Sequence, residues 1–388
     1  DDPTEDSQDQ NGAGWYNASD SANYSNPVLR NITFVNNHAA FKGGGMYNYG
    51  VDSGNASPKL INAYFLSNSA LTGGGIYNQG DSGKSSPYIL NTIFAGNSAG
   101  NEFENGSGGA MVNRGRDGGE SNPVIINSIF SGNWASFSGG AMNNDADGLN
   151  GMSNPIIINT TFNGNRAEEE GGVMANRGDN INNGICVPVM INCIFWNNEA
   201  GVSGPVFYNS NSEPEVSYSI LQGGGGIDDI NDVSITGNDA TSNEGNNKFD
   251  QDPLFVNPQG GGAAPTTAGD FHVLFTSPAI DMGLDSVNNQ PFDLDGGPRI
   301  LNDSIDIGAY ETTVPDCGIY TAGVVYVDSS AAPGGNGRTW DSAFTDLQDA
   351  LAVAAFCGVD SIFVAQGTYY PSQTIINNSC PNQLPDTI

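Results

Sequence analysis

Three aspartates, Asp293, Asp295 and Asp306, fall in the stretch FDLDGGPRILNDSIDIG. Two carboxylates one residue apart, next to a glycine turn, can converge on a hard cation such as Ca²⁺ through oxygen ligands. Solvated turns, or an ion pair between an aspartate and Arg299, account for the same residues. Elsewhere the residue types that do chemistry are sparse. A polysaccharide lyase needs a carboxylate cluster with Ca²⁺ and an Arg or Lys base, and a hydrolase needs paired acids at fixed separation. The chain has 11 basic residues, and Arg30, Lys59, Arg114, Arg116, Arg166 and Arg177 read as occupying unrelated places. His38 and His272 stand alone, and the run Glu168, Glu169, Glu170 reads as a solvated loop. The phrase GGGMYN at 43–48 invites comparison with a phosphate cradle, yet no Lys-Ser/Thr completes it and no strand-to-helix turn follows. The expectation is a protein that is not an enzyme, with a glycan-cleaving or glycan-binding protein as the alternative.

Composition narrows the classes further. Of 388 residues 37% are hydrophobic, 53 are glycine, and the formal net charge is -32. That charge repels nucleic acid and anionic lipid, and no run approaches the eighteen or so apolar residues of a membrane span. Cys186, Cys193, Cys317, Cys357 and Cys380 show no CxxC spacing, which argues against zinc. Disulfides in an oxidising compartment are one reading, with Cys186 and Cys193 the nearer pair; small buried apolar residues are the other. The opening DDPTEDSQDQ and the close PNQLPDTI read as the ends of a processed product or of a window in a longer tandem array.

The elements that must position all this are repeats. Aligned on Pro27, Pro58, Pro87, Pro123, Pro155 and Pro188, the chain reads SNPVLRNITFVNNHA, ASPKLINAYFLSNSA, SSPYILNTIFAGNSA, SNPVIINSIFSGNWA, SNPIIINTTFNGNRA and CVPVMINCIFWNNEA. Four places after each proline stands Asn31, Asn62, Asn91, Asn127, Asn159 or Asn192. Seven after it stands Phe34, Phe65, Phe94, Phe130, Phe162 or Phe195, and ten after it Asn37, Asn68, Asn97, Asn133, Asn165 or Asn198. The glycine phrase then returns as GGGMYN, GGGIYN, GGAMVN, GGAMNN, GGVMAN and GPVFYN, closing on Asn48, Asn78, Asn113, Asn144, Asn176 and Asn209. A truncated copy, GAGWYN, closes on Asn17.

Short β-branched runs bounded by Pro, Gly, Asn and Ser predict strands. The aliphatic two places after proline and the asparagine four places after it share a strand face, while the phenylalanine has the opposite parity, so bends must intervene to keep them inside. Short strands, bends and a recurring unit of about thirty residues describe an all-β, right-handed parallel β-helix. Stacked at about 4.8 Å, identical asparagines form hydrogen-bonded ladders that satisfy corner backbone groups. Tyr47, Tyr77 and Tyr208, one place before the third asparagine, predict a stacked surface column, or a glycan-binding row together with Trp15, Trp134 and Trp196.

The FxxNxA and GG-apolar units over about 12–209 resemble the repeats of the chlamydial polymorphic outer membrane proteins, a resemblance that implies β-helical passengers of autotransporter-type adhesins. The pieces DPLF, SPAIDMG, DLDGGPR and DIGAYE resemble the terminal region of choice-of-anchor bacterial surface proteins, which implies closure of a β-helix. After VPDCG, a strand (324–327), a helix with Phe344, Leu347, Leu351 and Ala354 on one face and Asp341 or Ser342 as N-cap, and a strand (361–365) look like the opening unit of a further β-helix, with the helix as cover. The organisation expected is thus 1–213 β-helix, 214–312 irregular coils and β-rich cap, 313–323 linker, and 324–388 the start of another unit. The functional expectation is a secreted or cell-surface structural or adhesive stalk, joined end to end to neighbouring copies or units and contacting glycans or a host surface.

Overall fold

The computed structural model describes residues 10–101, 103–223, 246–301 and 303–370, with the backbone of 238–239 and 242–243. Cys380 and the polar run at 224–237 lie outside the described residues. The chain divides into two compact units, Asp1–Thr312 and Thr313–Ile388.

The first unit is a parallel β-solenoid carrying asparagine ladders. Each coil starts with a three-residue strand after the proline, such as Val28–Arg30 or Val124–Ile126. A bend leads to the phenylalanine strand, such as Thr33–Val35 or Ile129–Ser131, and a second bend to a two-residue strand ending on the invariant alanine. The glycine phrase then opens the longest strand of the coil, for example Met46–Val51. Stacked, these make four parallel sheets of seven, eight, five and seven strands. Register is like on like: Phe34 lies on Phe65, Phe65 on Phe94 and Asn48 on Asn78. The stack runs on past Pro214, because Glu215–Ser217, Ile220–Leu221 and Lys248–Phe249 pair in parallel with the coil below.

Both bends have a chemical cause. Asn31, Asn62, Asn91, Asn127, Asn159 and Asn192 all sit at φ between 48° and 57°, the left-handed region that asparagine tolerates. The second bend uses the residue before the second asparagine column, for example Asn36, Ser67 and Gly96, again at positive φ. The glycine phrase needs its second glycine because of the coil above. A Cβ on Gly44 would lie 2.4 Å from both the Ser69 and the Gly74 carbonyl oxygens. Proline replaces that glycine only at Pro205, in the coil whose alanine strand, Glu199–Ala200, is the last of its sheet.

Inside, the phenylalanines stack with centroids 4.6–5.1 Å apart from Phe34 to Phe195. Such contacts are worth about 0.5–1.5 kcal/mol each beyond burial. Two ladders run through the coils. In one, Asn17, Asn48, Asn78, Asn113, Asn144, Asn176 and Asn209 each pass an Nδ2 hydrogen bond to the next Oδ1 at 2.8–3.0 Å. In the other, each Oδ1 from Asn68 to Asn198 accepts both the backbone N–H and the Nδ2 of the asparagine below. The same Nδ2 groups also reach a phenylalanine carbonyl at the corner, as Asn97 does to Phe65.

The column four places after proline departs from expectation. It was expected inside with the aliphatics; it faces outward instead, because a left-handed residue at the corner turns its side chain away from the coil. Asn31 and Asn62 are exposed. The row is also interrupted: Asn62 bonds Asn31, and Asn192 and Asn159 bond down to Asn127, leaving Asn91 between the two runs.

The cysteine pairing also differs. Cys186 and Cys193 are free and buried; the disulfide joins Cys317 to Cys357. Both free thiols stand in hydroxyl columns. Cys186 Sγ bonds the Asn144 carbonyl where Ser153 bonds Asn113, and Cys193 Sγ bonds Ile191 where Thr160 bonds Ile158. The two columns lie on different sides of the post-proline strand Val189–Ile191, so the thiols are committed to separate corners.

In the second unit, Val324–Val327 and Ser361–Val364 pair in parallel, with the helix Leu347–Cys357 between them in sequence. Its N-cap is Asp346, whose side chain accepts the Gln348 N–H, rather than Asp341 or Ser342, which belong to a separate 3₁₀ turn. The buried helix residues are Ala350 and Val353, and Leu351 is exposed, so the apolar face is rotated from the expected one. Closing a loop of 40 residues, the Cys317–Cys357 bond stabilises this unit by about 4 kcal/mol through the unfolded state.

If the inner ladders carry the stack, Asn97→Ala strands a buried Asn68 N–H and the Phe65 carbonyl and lowers stability by about 2–4 kcal/mol. Asn31→Gly, which keeps the left-handed bend, changes it by less than about 0.5 kcal/mol. Urea midpoints of the two variants decide this; equal losses would refute the division into inner and outer columns.

Candidate functional site

Residues 253–312 form a strap along the flank of the coils. Phe255, Phe271, Val273, Ala279, Ile307 and Ala309 pack on Ile129, Ile194 and Ile220, which project outward from the phenylalanine sheet. Backbone groups of the strap then engage polar groups of successive corners. Thr266 N–H donates to Gly132 O at 2.9 Å, Gln259 N–H to Asn163 Oδ1 at 2.8 Å, and Ala309 N–H to Thr161 Oγ1 at 3.3 Å.

The three aspartates singled out for Ca²⁺ all lie in this strap, but their oxygens are directed differently. Asp293 accepts N–H groups of Gly297 and Glu311, and Asp306 those of Asp281 and Thr312. Both are buried around Arg299, itself 1% exposed. The guanidinium bonds the Asp306 and Gly308 carbonyls and pairs with Glu311 at 3.3 Å, so its partner is a glutamate and not one of the aspartates. Asp295 points elsewhere, to His272 Nε2 at 2.7 Å, while Asp270 takes Nδ1 and Tyr310 stacks on the ring at 3.8 Å. Among the described residues no three His, Cys, Asp or Glu side chains are grouped to hold a metal ion.

Three carboxyls around one guanidinium leave an excess of negative charge in a buried site. Burial pushes Glu311 up to about 8 and Asp306 up to about 6, and lowers Arg299. At His272 burial acts downward, but the hydrogen bonds that its ring donates to Asp270 and Asp295 outweigh it and the imidazolium is favoured.

The outward asparagine row ends under the strap. Asn127 Nδ2 donates to the Phe292 carbonyl at 2.9 Å, and Asn192 exchanges two bonds with Leu284. Toward the first coils no described residue of the strap covers the row beyond Phe292, Leu294 and Asp295. There Asn31, Thr33, Asn62, Tyr64 and Asn91 line a cleft of about 480 Å³, closed on one side by Phe292, Leu294 and Asp295.

A second arrangement occupies the outer face of the long sheet. Arg114 and Arg177 turn out to share a coil position, one place after the third asparagine, with Asp145 between them in register. Their alignment could have been read from NR at 113–114 and 176–177, where the expectation of unrelated positions was mistaken. Arg114 pairs with Asp145 and Asp147, and Arg177 with Glu170 while its guanidinium lies 5.3 Å from the Tyr208 ring. Burial raises Asp145, whereas the Arg114 hydrogen bond lowers Asp147.

The tyrosine column is not a surface one over its first members: Tyr47 and Tyr77 are 5% and 4% exposed, covered by Lys42, whose Nζ sits 5.0 Å from the Tyr77 ring. Phe41, Lys42, Leu71, Tyr77 and Arg114 border a shallow hollow of about 500 Å³. Of the acidic run, Glu168 is held by Arg166 and Trp134 Nε1, and Glu170 by Arg177. His38 bonds Ser69. The buried Cys186 and Cys193 thiols are pushed up to about 12, far from the thiolate that nucleophilic chemistry needs.

Comparison with known proteins finds no family model, no curated protein and no solved structure that matches the chain.

The strap cluster sets the sign of a pH response. Glu311, Asp306 and His272 all titrate higher when folded, so their contribution is full below their unfolded values and is lost as pH rises through the folded ones. The solenoid unit should therefore melt higher at about pH 5 than at about pH 8.5, and Glu311→Gln should shrink the difference. Arg299→Met, which leaves the carboxyls without a counter-ion, should cost about 3–5 kcal/mol at the higher pH. Scanning calorimetry of the three proteins tests this; a melting point that falls on acidification overturns it.

Proposed function

We propose that this chain is a structural surface module: a rigid stalk, secreted or held at a cell surface, whose coils supply length and whose loops supply contacts. The observation that carries this reading is the like-on-like register of the coils, in which the same side chain recurs at the same place and spends its hydrogen bonds on the neighbouring coil. Such a body is stiff along its axis, since bending it would stretch ladders and phenylalanine stacks together. A disulfide in the second unit fits an oxidising compartment, and a charge of -32 fits a surface that stays apart from nucleic acid and anionic lipid.

End-to-end assembly extends the reading. Among the described residues, the strands Val28–Arg30 and Thr33–Val35 of the first coil are the terminal members of their sheets, and Val28 and Val35 are exposed there. Open strand edges are where another β-structure adds. The glycan reading has less to stand on, since two of the tyrosines aligned for it are covered.

Electron microscopy of the protein, negatively stained at rising concentration, tests both parts. Straight rods support the stalk, and rods that lengthen with concentration support end-to-end joining. Collapsed or strongly curved particles would overturn the stalk, and rods of one fixed length would overturn the joining. Release of new reducing ends from a panel of acidic and neutral polysaccharides would replace the structural reading with an enzymatic one.

A further inference from the structure

We infer that the part of the outward asparagine row that the described strap leaves uncovered is a binding track for a peptide segment of a partner, of which the strap shows the mode of recognition. The inference stands apart from the stalk reading, since a track of this kind would serve a protein of any overall role.

The row changes character along the stack. Asn31 and Asn62 are exposed, Asn91 is half-buried, and Asn127, Asn159 and Asn192 are buried. The change coincides with the strap. Where it is covered, the row reads peptide backbone: Asn192 Oδ1 accepts the Leu284 N–H at 2.8 Å while its Nδ2 reaches the carbonyl of the same residue at 3.3 Å. That two-point contact to the backbone of one residue is independent of the side chain presented. The position two residues further on behaves alike. Thr161 Oγ1 accepts the Ala309 N–H, and Ile129 and Ile194 pack under strap side chains.

The same two positions recur, open, in the first coils. Thr33 stands where Thr161 does, and Tyr64, 43% exposed, stands where Ile129 and Ile194 offer apolar surface. Between the two regions the ladder is broken for a visible reason. By the pattern of Asn62 to Asn31 and Asn159 to Asn127, the Asn127 amide would donate to Asn91; it donates to the Phe292 carbonyl instead. Asn91 Oδ1 is thereby left buried with no hydrogen-bond partner among the described residues, at the wall of the 480 Å³ cleft. A buried acceptor without a donor is costly, and a peptide N–H is the group that the equivalent oxygen of Asn192 receives. No lysine or arginine lines the cleft, so a segment recognised through its neutral backbone fits better than an anionic ligand.

The probe is an N-acetylated, C-amidated peptide of sequence LDSVNNQPF, copying 284–292, the stretch that runs along the same row in the covered coils. Labelled and titrated with the full chain by fluorescence anisotropy, it should saturate with a half-point below about 1 mM. The double variant Asn62→Ala, Asn91→Ala should weaken it at least tenfold, or about 1.4 kcal/mol. Because these asparagines sit at left-handed corners, Tyr64→Ala and Thr33→Val, on strand residues, provide variants that do not touch the bends, and each should weaken binding while leaving the thermal melt unchanged. Failure to saturate, or equal binding by all variants, overturns the inference. So does saturation by the neutral oligosaccharide cellohexaose in place of the peptide, which would make the track a sugar site.

Discussion

Everything in the solenoid depends on how the corners dispose of their backbone hydrogen bonds. A coil of two- to six-residue strands turns several times in about thirty residues, and at each turn N–H and C=O groups leave the sheet direction. Buried without partners, each would cost about 1–3 kcal/mol. Asparagine answers this twice over. As a backbone it adopts the left-handed bend, and as a side chain it mimics a peptide unit, with one donor and one acceptor oriented along the stack. The Asn68, Asn97 and Asn133 chain shows the consequence: each amide satisfies a neighbouring backbone N–H, a neighbouring amide and a corner carbonyl at once. The constraint then propagates. Ladders require equal residues at equal places, equal places require coils of matched register, and matched register stacks the phenylalanines within 5.1 Å of one another.

That dependence explains why so much of the fold could be read from the chain alone. A residue whose partner is its own copy one coil away leaves a periodic trace, and the positions of Asn48, Phe65 or Asn97 follow from it. Which side of a corner a side chain takes leaves no such trace. The column from Asn31 to Asn192 is as regular in sequence as the inner two, and only the positive φ at its backbone turns it outward. Cys186 and Cys193 misled for a related reason: seven residues apart they look like a pair, yet each is an isosteric stand-in for serine or threonine in its own column. The strap was out of reach because its partners are not periodic. Phe292 meets Asn127 across 165 positions and Gln290 meets Tyr88 across 202, and nothing local announces either contact.

The strap itself shows what it takes to attach an irregular segment to a regular one. Its backbone cannot join a sheet whose strands are already paired on both sides, so it must take donors and acceptors from side chains on the flank. The amides and hydroxyls that project outward, such as Asn127, Thr161, Asn163 and Asn192, are those side chains. Its own fold is then pinned by Arg299, whose Nη2 donates to two carbonyls while Nη1 faces a glutamate, a spread of contacts that the single point charge of a lysine would not reproduce. Gathering Asp293, Asp306 and Glu311 around that one cation buries more carboxyls than it can neutralise, and it is this burial, with like-charge coupling added, that makes the strap sensitive to protons.

Charge is handled differently on the long sheet, and the contrast bears on what each face can meet. With 43 acidic residues against 11 basic ones, the chain cannot neutralise its surface, so the placement of its few cations is informative. Arg114, Arg166 and Arg177 each pair with an acidic residue on their own or the neighbouring coil. Arg114 and Arg166 thereby tie neighbouring like-charged coils, which would otherwise repel at the spacing of a β-stack, while Arg177 pairs within its own coil. A face whose cations are consumed in this way offers little to an anionic partner. The uncovered asparagine row differs in that its amides are neutral, carry donor and acceptor together, and are repeated at the interval of the coils. Recognition there can come from geometry, without contending with the field of the whole molecule, and this sets that flank apart as a surface for binding.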